Sequence, residues 1–300
     1  MLSGGVGGVG AANQRIVAPL SPHLLALVLA SAALHAVWNA ALKHRADPGA
    51  AGVWVVLGAA SISAVLAVVT GDWQLAPASL PWTLAAGLVE GVYFASLLTA
   101  MHHLPLPLAY GVSRGAGVLL AWPIAMVLMG ELASPQALVG AGLLSLGLAS
   151  VALERSPVDG SARRKQGWLA TWICAASIAA YPLVYKQALH TGAAPFALFA
   201  VSLGLSLPIQ LGWLGPTRLQ RLRAEAQAAP LVLGWSALLC AASFLLLLWA
   251  LREGGAAHLS ALRNTSVLMA TALAARWQRP TPMDWVRAVL VTVGAVLVGW

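Results

Sequence analysis

The sequence has little charge. Only 9% of its 300 residues are Asp, Glu, Lys or Arg, whereas a soluble domain carries about 25%. Soluble cores built from this chain would have a surface with almost no charged side chains. Hydrophobic residues make up 60% of the chain. These proportions exclude an ordinary soluble protein and predict an integral membrane protein.

Cysteine is also scarce, and sequence patterns typical of catalytic or metal sites are missing. The two cysteines, Cys174 and Cys240, lie within apolar runs, so neither a disulfide framework nor a metal site is expected. The chain has no Walker A sequence, no HExxH, no GxSxG and no zinc spacing. We therefore expect no ATP hydrolysis, no enzyme activity, and no metal or other cofactor.

The basic residues lie mostly in short polar segments between apolar runs, and they give a net charge of +8. Loops of multi-pass membrane proteins show this bias. We therefore expect the lipid bilayer, and not a nucleic acid, as the partner of this chain. Counted loop by loop, the bias places both termini outside the cell.

Ten apolar runs approach the roughly 20 residues that a membrane-spanning helix needs. Their length and uniform apolarity favour helices over barrel strands, which alternate with a period of two. Residues 1–22 are predicted to be a disordered tail, and the polar segment 155–166 a linker. The arginine-rich segment 217–227 predicts a short helix at the membrane interface. The ten runs are 23–43, 50–70, 80–101, 106–129, 134–153, 167–188, 194–214, 229–251, 257–276 and 282–300.

The two halves of the chain repeat a pattern. An aromatic residue precedes a lysine by five positions in 38–43 and again in 181–186. An arginine stands at the head of an apolar run at Arg114 and, 149 positions later, at Arg263. The segments 94–100 and 244–250 also match. These matches indicate a diverged duplication.

Five spans in each unit would insert the second unit upside down relative to the first. The predicted fold is therefore an all-α integral membrane protein with ten transmembrane helices in two inverted five-helix repeats, residues 23–154 and 167–300. Transporters with this architecture bind substrate near the bilayer midplane, where the repeats meet.

Arginine inside a membrane span is costly, and it marks a functional site by default. Arg114 and Arg263 are therefore the leading candidates for substrate binding. For Trp38 and Lys43 an interfacial position with a snorkelling lysine is the alternative. The other predicted substrate-binding residues are Trp38, Asn39, Lys43, Tyr93, Tyr181 and Lys186.

Glu90 is the only acidic residue well inside a span, and His35 lies on one face of the first span with Asn39. Both are candidates for proton coupling. The alternative for Glu90 is a structural ion pair with Arg114, and either Arg114 or His35 is expected as its partner.

Five motifs in order resemble the EamA-type branch of the drug/metabolite transporter superfamily. They are LHAVWNAALK (34–43), AYGVSRG (109–115), LMGE (128–131), AAYPLVYK (179–186) and LRNTS (262–266). The resemblance covers residues 23–300. The second repeat departs from it, because residues 278–280 replace the Gly-Glu corner and Tyr185 stands where relatives often have an acid.

The resemblance implies a ten-helix inner-membrane carrier that exports amino acids, other metabolites or drugs. It also implies that spans one, three, four, six, eight and nine line the cavity, and that both termini are cytoplasmic. That orientation conflicts with the charge count, so it stays open, as does a homodimer.

We expect a secondary transporter that exports a small polar or carboxylate-bearing metabolite or drug by alternating access with proton coupling. The alternative is a flippase for a lipid or lipid-linked headgroup.

Overall fold

The computed structural model of the protein describes residues 15–16, 20–43, 45–104, 106–132, 134–153, 162–266, 269, 272 and 281–299. Helices dominate these residues. They are α1 (Pro22–Lys43), α2 (Pro48–Thr70), α3 (Leu80–His103), α4 (Leu106–Met129), α5 (Pro135–Leu153), α6 (Ala162–His190), α7 (Pro195–Leu214), α8 (Arg218–Ala228), α9 (Pro230–Glu253), α10 (Ala256–Arg263) and α11 (Pro282–Gly299). A turn of 3₁₀ helix at Pro77–Ser79 precedes α3. Two short strands, β1 (Arg15–Ile16) and β2 (Glu131–Leu132), pair in parallel.

The all-helical membrane class predicted from composition is confirmed. Seven helices in the described part of the chain are long and apolar enough to cross a membrane: α1 to α4, α6, α7 and α9. The apolar segments Pro135–Ser150 of α5 and Trp285–Val298 of α11 are shorter. Most of the predicted ninth span after residue 266 lies outside the described residues, as do 155–161 of the predicted linker and most of the predicted tail.

Local sequence sets the helix boundaries. Asp47 caps α2, because its Oδ1 accepts a hydrogen bond from the Ala50 amide at 3.0 Å. Pro48 takes the first helical position, where its missing N–H has no helical partner to lose. Gly71 ends the same helix with φ of 70°, a left-handed conformation that glycine adopts without strain.

Helices of one half of the chain pack against helices of the other half. In the first half, α3 contacts α6 and α7 of the second half, and α9 of the second half contacts α1 and α2 of the first half. The second and seventh spans, α2 and α7, pack against each other, and so do α5 and α11. The buried core therefore lies where helices from both halves meet.

Glycine permits the closest of these contacts. A Cβ added at Gly140 of α5 would lie 2.6 Å from the Gly294 carbonyl oxygen of α11, and the reverse distance is also 2.6 Å. Two backbones can approach this closely only when neither residue has a side chain. The α5–α11 pair thus depends on both glycines.

The predicted short helix at 217–227 is present as α8, and polar contacts join it to α2 and to the loop between α1 and α2. Arg221 donates to both carboxylate oxygens of Asp47, at 2.6 and 2.8 Å. Arg45 pairs with Glu225, and the Trp54 indole donates to the Leu222 carbonyl at 2.9 Å. Hydrogen bonds from Arg221 hold the pKa of the Asp47 carboxyl below its usual value.

Candidate functional site

His35 of α1 lies between the two intramembrane arginines. Its Nε2 is 3.2 Å from Arg114 Nη2, and its Nδ1 is 3.3 Å from Arg263 Nη2. All three side chains are buried, with 4%, 4% and 2% exposure for His35, Arg114 and Arg263. One imidazole therefore links arginines from α4 and α10, which belong to different halves of the chain.

The donors and acceptors around His35 do not match fully. A guanidinium only donates hydrogen bonds, and a neutral imidazole has one acceptor nitrogen and one N–H. His35 can accept from one arginine, and its N–H must then face the other guanidinium. The arrangement favours a neutral histidine, because an imidazolium would present a donor to both arginines.

The hydrogen bonds of Arg263 among the described residues go to neutral groups. Its Nη1 donates to the Tyr181 hydroxyl at 2.7 Å, and its Nη2 lies 3.4 Å from Ser243 Oγ. Its guanidinium carbon is 4.1 Å from the centre of the Phe244 ring, a cation–π distance. Its Nε has no hydrogen-bond partner among the described residues. The positive charge is thus positioned by hydroxyls and an aromatic ring.

Arg114 reaches across to the second half of the chain. Its Nη1 donates to Asn264 Oδ1 at 3.2 Å, and its Nη2 lies 3.5 Å from the Tyr93 hydroxyl. The Asn264 amide is fixed in turn, because its Nδ2 donates to the Ser260 carbonyl at 3.0 Å. Asn264 therefore holds an oxygen, not an amide N–H, toward the guanidinium.

Two serines, one on α1 and one on α9, hold these helices together beside the arginines, because each donates to the backbone carbonyl of the other. Ser31 Oγ donates to the Ser243 carbonyl at 2.7 Å, and Ser243 Oγ donates to the Ser31 carbonyl at 2.9 Å. Because the Ser243 hydroxyl hydrogen is used in this way, its oxygen is free to accept from Arg263. The pair sets the distance between His35 and the second half of the chain.

Glu90 is buried on α3 at the edge of this cluster. It interacts with the Tyr185 hydroxyl, and Arg263 is the arginine whose charge acts on it. Its Oε1 has no hydrogen-bond partner among the described residues. The structure thus places Tyr185 beside Glu90, where the sequence suggested Arg114 or His35.

The other predicted site residues differ in their surroundings. The Trp38 ring meets His35 edge to face, with centroids 5.1 Å apart. Asn39 donates to the His35 carbonyl of its own helix at 2.7 Å. Lys186 is half-buried near the end of α6, and the Lys43 side chain lies outside the described residues.

Phe244, Ser243 and Asn264 are site residues that we did not predict. The repeat carried a signal for the first two, since Phe244 matches Phe94 at an offset of 150 and Ser243 therefore matches Tyr93. In the structure Ser243 and Tyr93 do occupy matching places, each beside the arginine of its own half.

Comparisons with known proteins agree with this architecture. Residues 165–300 match the EamA-like transporter family, and residues 52–144 match the Small Multidrug Resistance protein family. A solved structure described only as "Crystal structure of protein" shares the fold, with a TM-score of 0.70 at 15% identity over 91% of this chain and 94% of the other. No curated protein matches.

Both matched families are transporters of the drug/metabolite type, and they cover parts of both halves of the chain. The resemblance inferred from the five motifs is thereby confirmed. With seven helices long enough to span a bilayer in the part of the chain that the structure describes, the chain is a multi-pass membrane transporter of the drug/metabolite type.

Proposed function

We propose that the protein is a secondary carrier that moves a small metabolite with a carboxylate or another anionic group by alternating access. The observation that carries this proposal is the convergence of Arg114 and Arg263 on His35. Each half of the chain contributes one guanidinium, so a single anion can bind both halves at once.

Electrostatics favours an anionic substrate. A buried guanidinium is costly unless its charge is compensated, and the hydrogen bonds of Arg263 among the described residues go to neutral groups. A carboxylate can accept two parallel hydrogen bonds from a guanidinium in a geometry that neutral acceptors do not match. The Tyr181 and Tyr93 hydroxyls and the Trp38 ring would orient the rest of the substrate.

The packing pattern supports two inverted repeats. The contacts of α3 with α6 and α7 correspond to those of α9 with α1 and α2 when the halves are exchanged. Contacts of Arg114 with Tyr93 and of Arg263 with Ser243 correspond in the same way. We infer ten spans, in repeats 23–154 and 167–300, with α5 and α11 as the fifth and tenth spans. Rocking of one repeat against the other would expose the arginines to each side in turn.

Glu90 would couple transport to protons. An ionised Glu90 offsets part of the positive charge of Arg263, and a neutral Glu90 does not. An anion therefore binds more strongly when Glu90 carries a proton, and by linkage the anion favours that proton. His35 would contribute by releasing one arginine when the anion binds. Because the proton and the anion would then move in the same direction, the export across the inner membrane that the resemblance implies requires an outward anion gradient larger than the inward proton gradient.

A two-stage experiment tests the proposal. The purified protein is first screened for thermal stabilisation by acetate, succinate, glutamate and citrate, with choline and spermidine as cationic comparisons. The anion with the largest shift is then used, radiolabelled, for counterflow in liposomes. We expect anions to stabilise the protein and one of them to exchange. Stabilisation by the cations alone would contradict the site, and movement of a labelled lipid without anion exchange would favour the flippase.

A further inference from the structure

Three polar side chains form a buried stripe along α7. Ser202, Ser206 and Gln210 follow one another at intervals of four residues, with 0%, 0% and 1% exposure. Residues at this spacing lie on one face of a helix, and the stripe extends over about 12 Å. It lies against α3, because a Cβ added at Gly87 would be 2.8 Å from the Ser202 carbonyl.

The stripe connects to Glu90 through Tyr185. The Tyr185 hydroxyl lies 2.8 Å from Ser202 Oγ, and it also interacts with the Glu90 carboxyl. Farther along α7, Gln210 Nε2 donates to Ser206 Oγ at 2.9 Å. The buried acid and the stripe are thus parts of one polar track between α3, α6 and α7.

Packing alone does not account for this track. Glu90 Oε1 and Gln210 Oε1, near its two ends, are buried acceptors without a hydrogen-bond partner among the described residues. An unsatisfied buried polar atom is costly, and apolar side chains of similar size would fill the same space without that cost. Between these two acceptors the serine hydroxyls donate to carbonyls of their own helix, Ser206 Oγ to Leu203 at 2.7 Å and Ser202 Oγ to Phe199 at 3.2 Å. Each serine oxygen can still accept a further proton.

One end of the track lies near the end of α7, on the side of the protein where α8 packs. Gln210 lies one turn before Leu214, the last residue of α7, and the Leu214 carbonyl accepts from Arg221 at 2.9 Å. The same side of the protein holds Asp47, which pairs with Arg221. A proton that enters here from water has only the last turn of α7 to pass before it reaches Gln210.

We propose that this track is a proton route that protonates the Glu90 carboxylate from the side of the membrane on which α8 lies. The proposal rests on the proton coupling inferred above and adds the path. A hydronium ion binds at Gln210 Oε1 and transfers its proton inward, leaving water. At Ser206 and Ser202 a new O–H bond forms, the hydroxyl hydrogen rotates away from its carbonyl, and the old O–H bond breaks as that proton passes on. At Tyr185 a new O–H bond likewise forms as the existing one breaks.

The last transfer breaks the Tyr185 O–H bond and forms the O–H bond of neutral Glu90. Tyr185 regains a proton from Ser202 in the same sequence, so the charge ends on Glu90 alone. Ser202 and Ser206 are one helical turn apart, about 6 Å between Cβ atoms, and one water molecule can bridge that distance. Gln210 is a positioning residue, since it holds the entering water and the Ser206 oxygen.

Several groups act on Glu90 from the helices around it. Tyr185 does so from α6, Cys240 from α9 and Arg263 from α10. Arg114 of α4 reaches Tyr93, which lies nearly one turn from Glu90 on α3. The stripe on α7 adds only neutral side chains. Such side chains can pass a proton on, but they do not keep it as a second acidic residue would.

Infrared spectroscopy of the whole protein in liposomes tests the route without any substrate. After a jump from alkaline to acidic buffer, the carbonyl band of protonated Glu90 is followed in time, and its assignment rests on its loss in Glu90→Gln. We expect Gln210→Leu and Tyr185→Phe to slow the appearance of this band at least about tenfold, since a positioned proton relay contributes a factor of about 10² or more. The final amplitude should stay the same in Gln210→Leu, because this change alters the route and no group that the structure places beside Glu90.

Ser63→Ala is the matched control, because Ser63 is a buried serine that bonds the Phe196 carbonyl outside the track. It should leave the rate unchanged. Wild-type rates in both Gln210→Leu and Tyr185→Phe would overturn the route, and so would a band that persists in Glu90→Gln. If the route variants are slow but no anion exchanges in counterflow, the proposed function fails and the route stands.

Discussion

Arg114 and Arg263, 149 positions apart in sequence, lie on opposite nitrogens of the single imidazole of His35, at 3.2 and 3.3 Å. The imidazole separates two positive charges that come from different halves of the chain. A change in the position of either half must change at least one of these contacts. The arrangement therefore connects the relative position of the halves to the occupancy of the charge site.

Removal of this imidazole should make the protein depend on anions. In His35→Ala the two guanidiniums lose their shared neighbour, and we expect a loss of stability of about 2 to 4 kcal/mol. Acetate should restore more stability in this variant than in the wild type, because it can occupy the space between the charges. Thermal unfolding against acetate concentration measures this effect. His23→Ala, an exposed histidine of the same helix, is the control, and equal acetate dependence in both variants would contradict the prediction.

The aromatic face under Arg263 should contribute to anion affinity by fixing the guanidinium. Phe244→Leu removes the ring 4.1 Å from the guanidinium carbon, a contact worth about 1 kcal/mol or about a fivefold change in affinity. Arg263→Lys should weaken binding further, because an ammonium cannot bind a carboxylate with two parallel bonds. Titration with the stabilising anion measures both. Phe196→Leu alters a ring that packs on Trp249, and an equal loss there would argue against a specific role of Phe244.

Most residues of this cluster were predictable from the sequence, and the contacts at its centre were not. Arg114, Arg263 and Glu90 were recognisable because a charge within an apolar run has few alternative explanations. Phe244 and Ser243 look like ordinary lining residues of an apolar span, and only the repeat offset distinguishes them. The contacts of His35 with residues 79 and 228 positions away depend on how α1 packs against α4 and α10, and no local pattern encodes that packing.

The fold shows the same division. The bounds of nine of the ten predicted apolar runs agree closely with described helices, because membrane thickness sets a length that hydropathy reveals. Most of the ninth run lies outside the described residues. The α8 contacts could not be derived in this way, since the sequence suggested an interfacial helix but gave no sign that Asp47 and Glu225 pair with arginines across about 180 residues.

The Asp47–Arg221 pair should give the protein a stability that depends on acid. Because the pKa of Asp47 is lower in the folded state than in the unfolded state, its contribution is fully present above about pH 4 and is lost as the pH falls through the folded value. Asp47→Asn keeps an oxygen that can cap α2 and removes the ion pair. We expect it to cost about 1 kcal/mol at neutral pH, given partial exposure.

Denaturant unfolding of both proteins over a pH series checks this prediction. The difference between wild type and Asp47→Asn should shrink as the solution becomes more acidic. A difference that is constant over the whole series would show that the ion pair is not its source.

The α5–α11 contact should tolerate no side chain at its closest point. Gly140→Ala would place a Cβ 2.6 Å from the Gly294 carbonyl, and we expect a loss of about 1 to 3 kcal/mol as the helices separate. Gly142→Ala, on the same helix with nothing within 4 Å, should be neutral or slightly stabilising because alanine favours helix. Melting temperatures of the two variants decide the matter, and equal losses would show that helix propensity, not packing, governs both positions.

The most direct test of the account is whether Arg114 and Arg263 bind one anion together. The shift in melting temperature caused by the best anion of the panel is measured for the wild type, Arg114→Gln, Arg263→Gln and the double variant, each first shown to be monodisperse and helical. We predict that either single substitution abolishes most of the shift and that the second adds little, because residues that hold one ligand are coupled. A full shift in both single variants, or two independent and additive losses, would contradict a shared anion site.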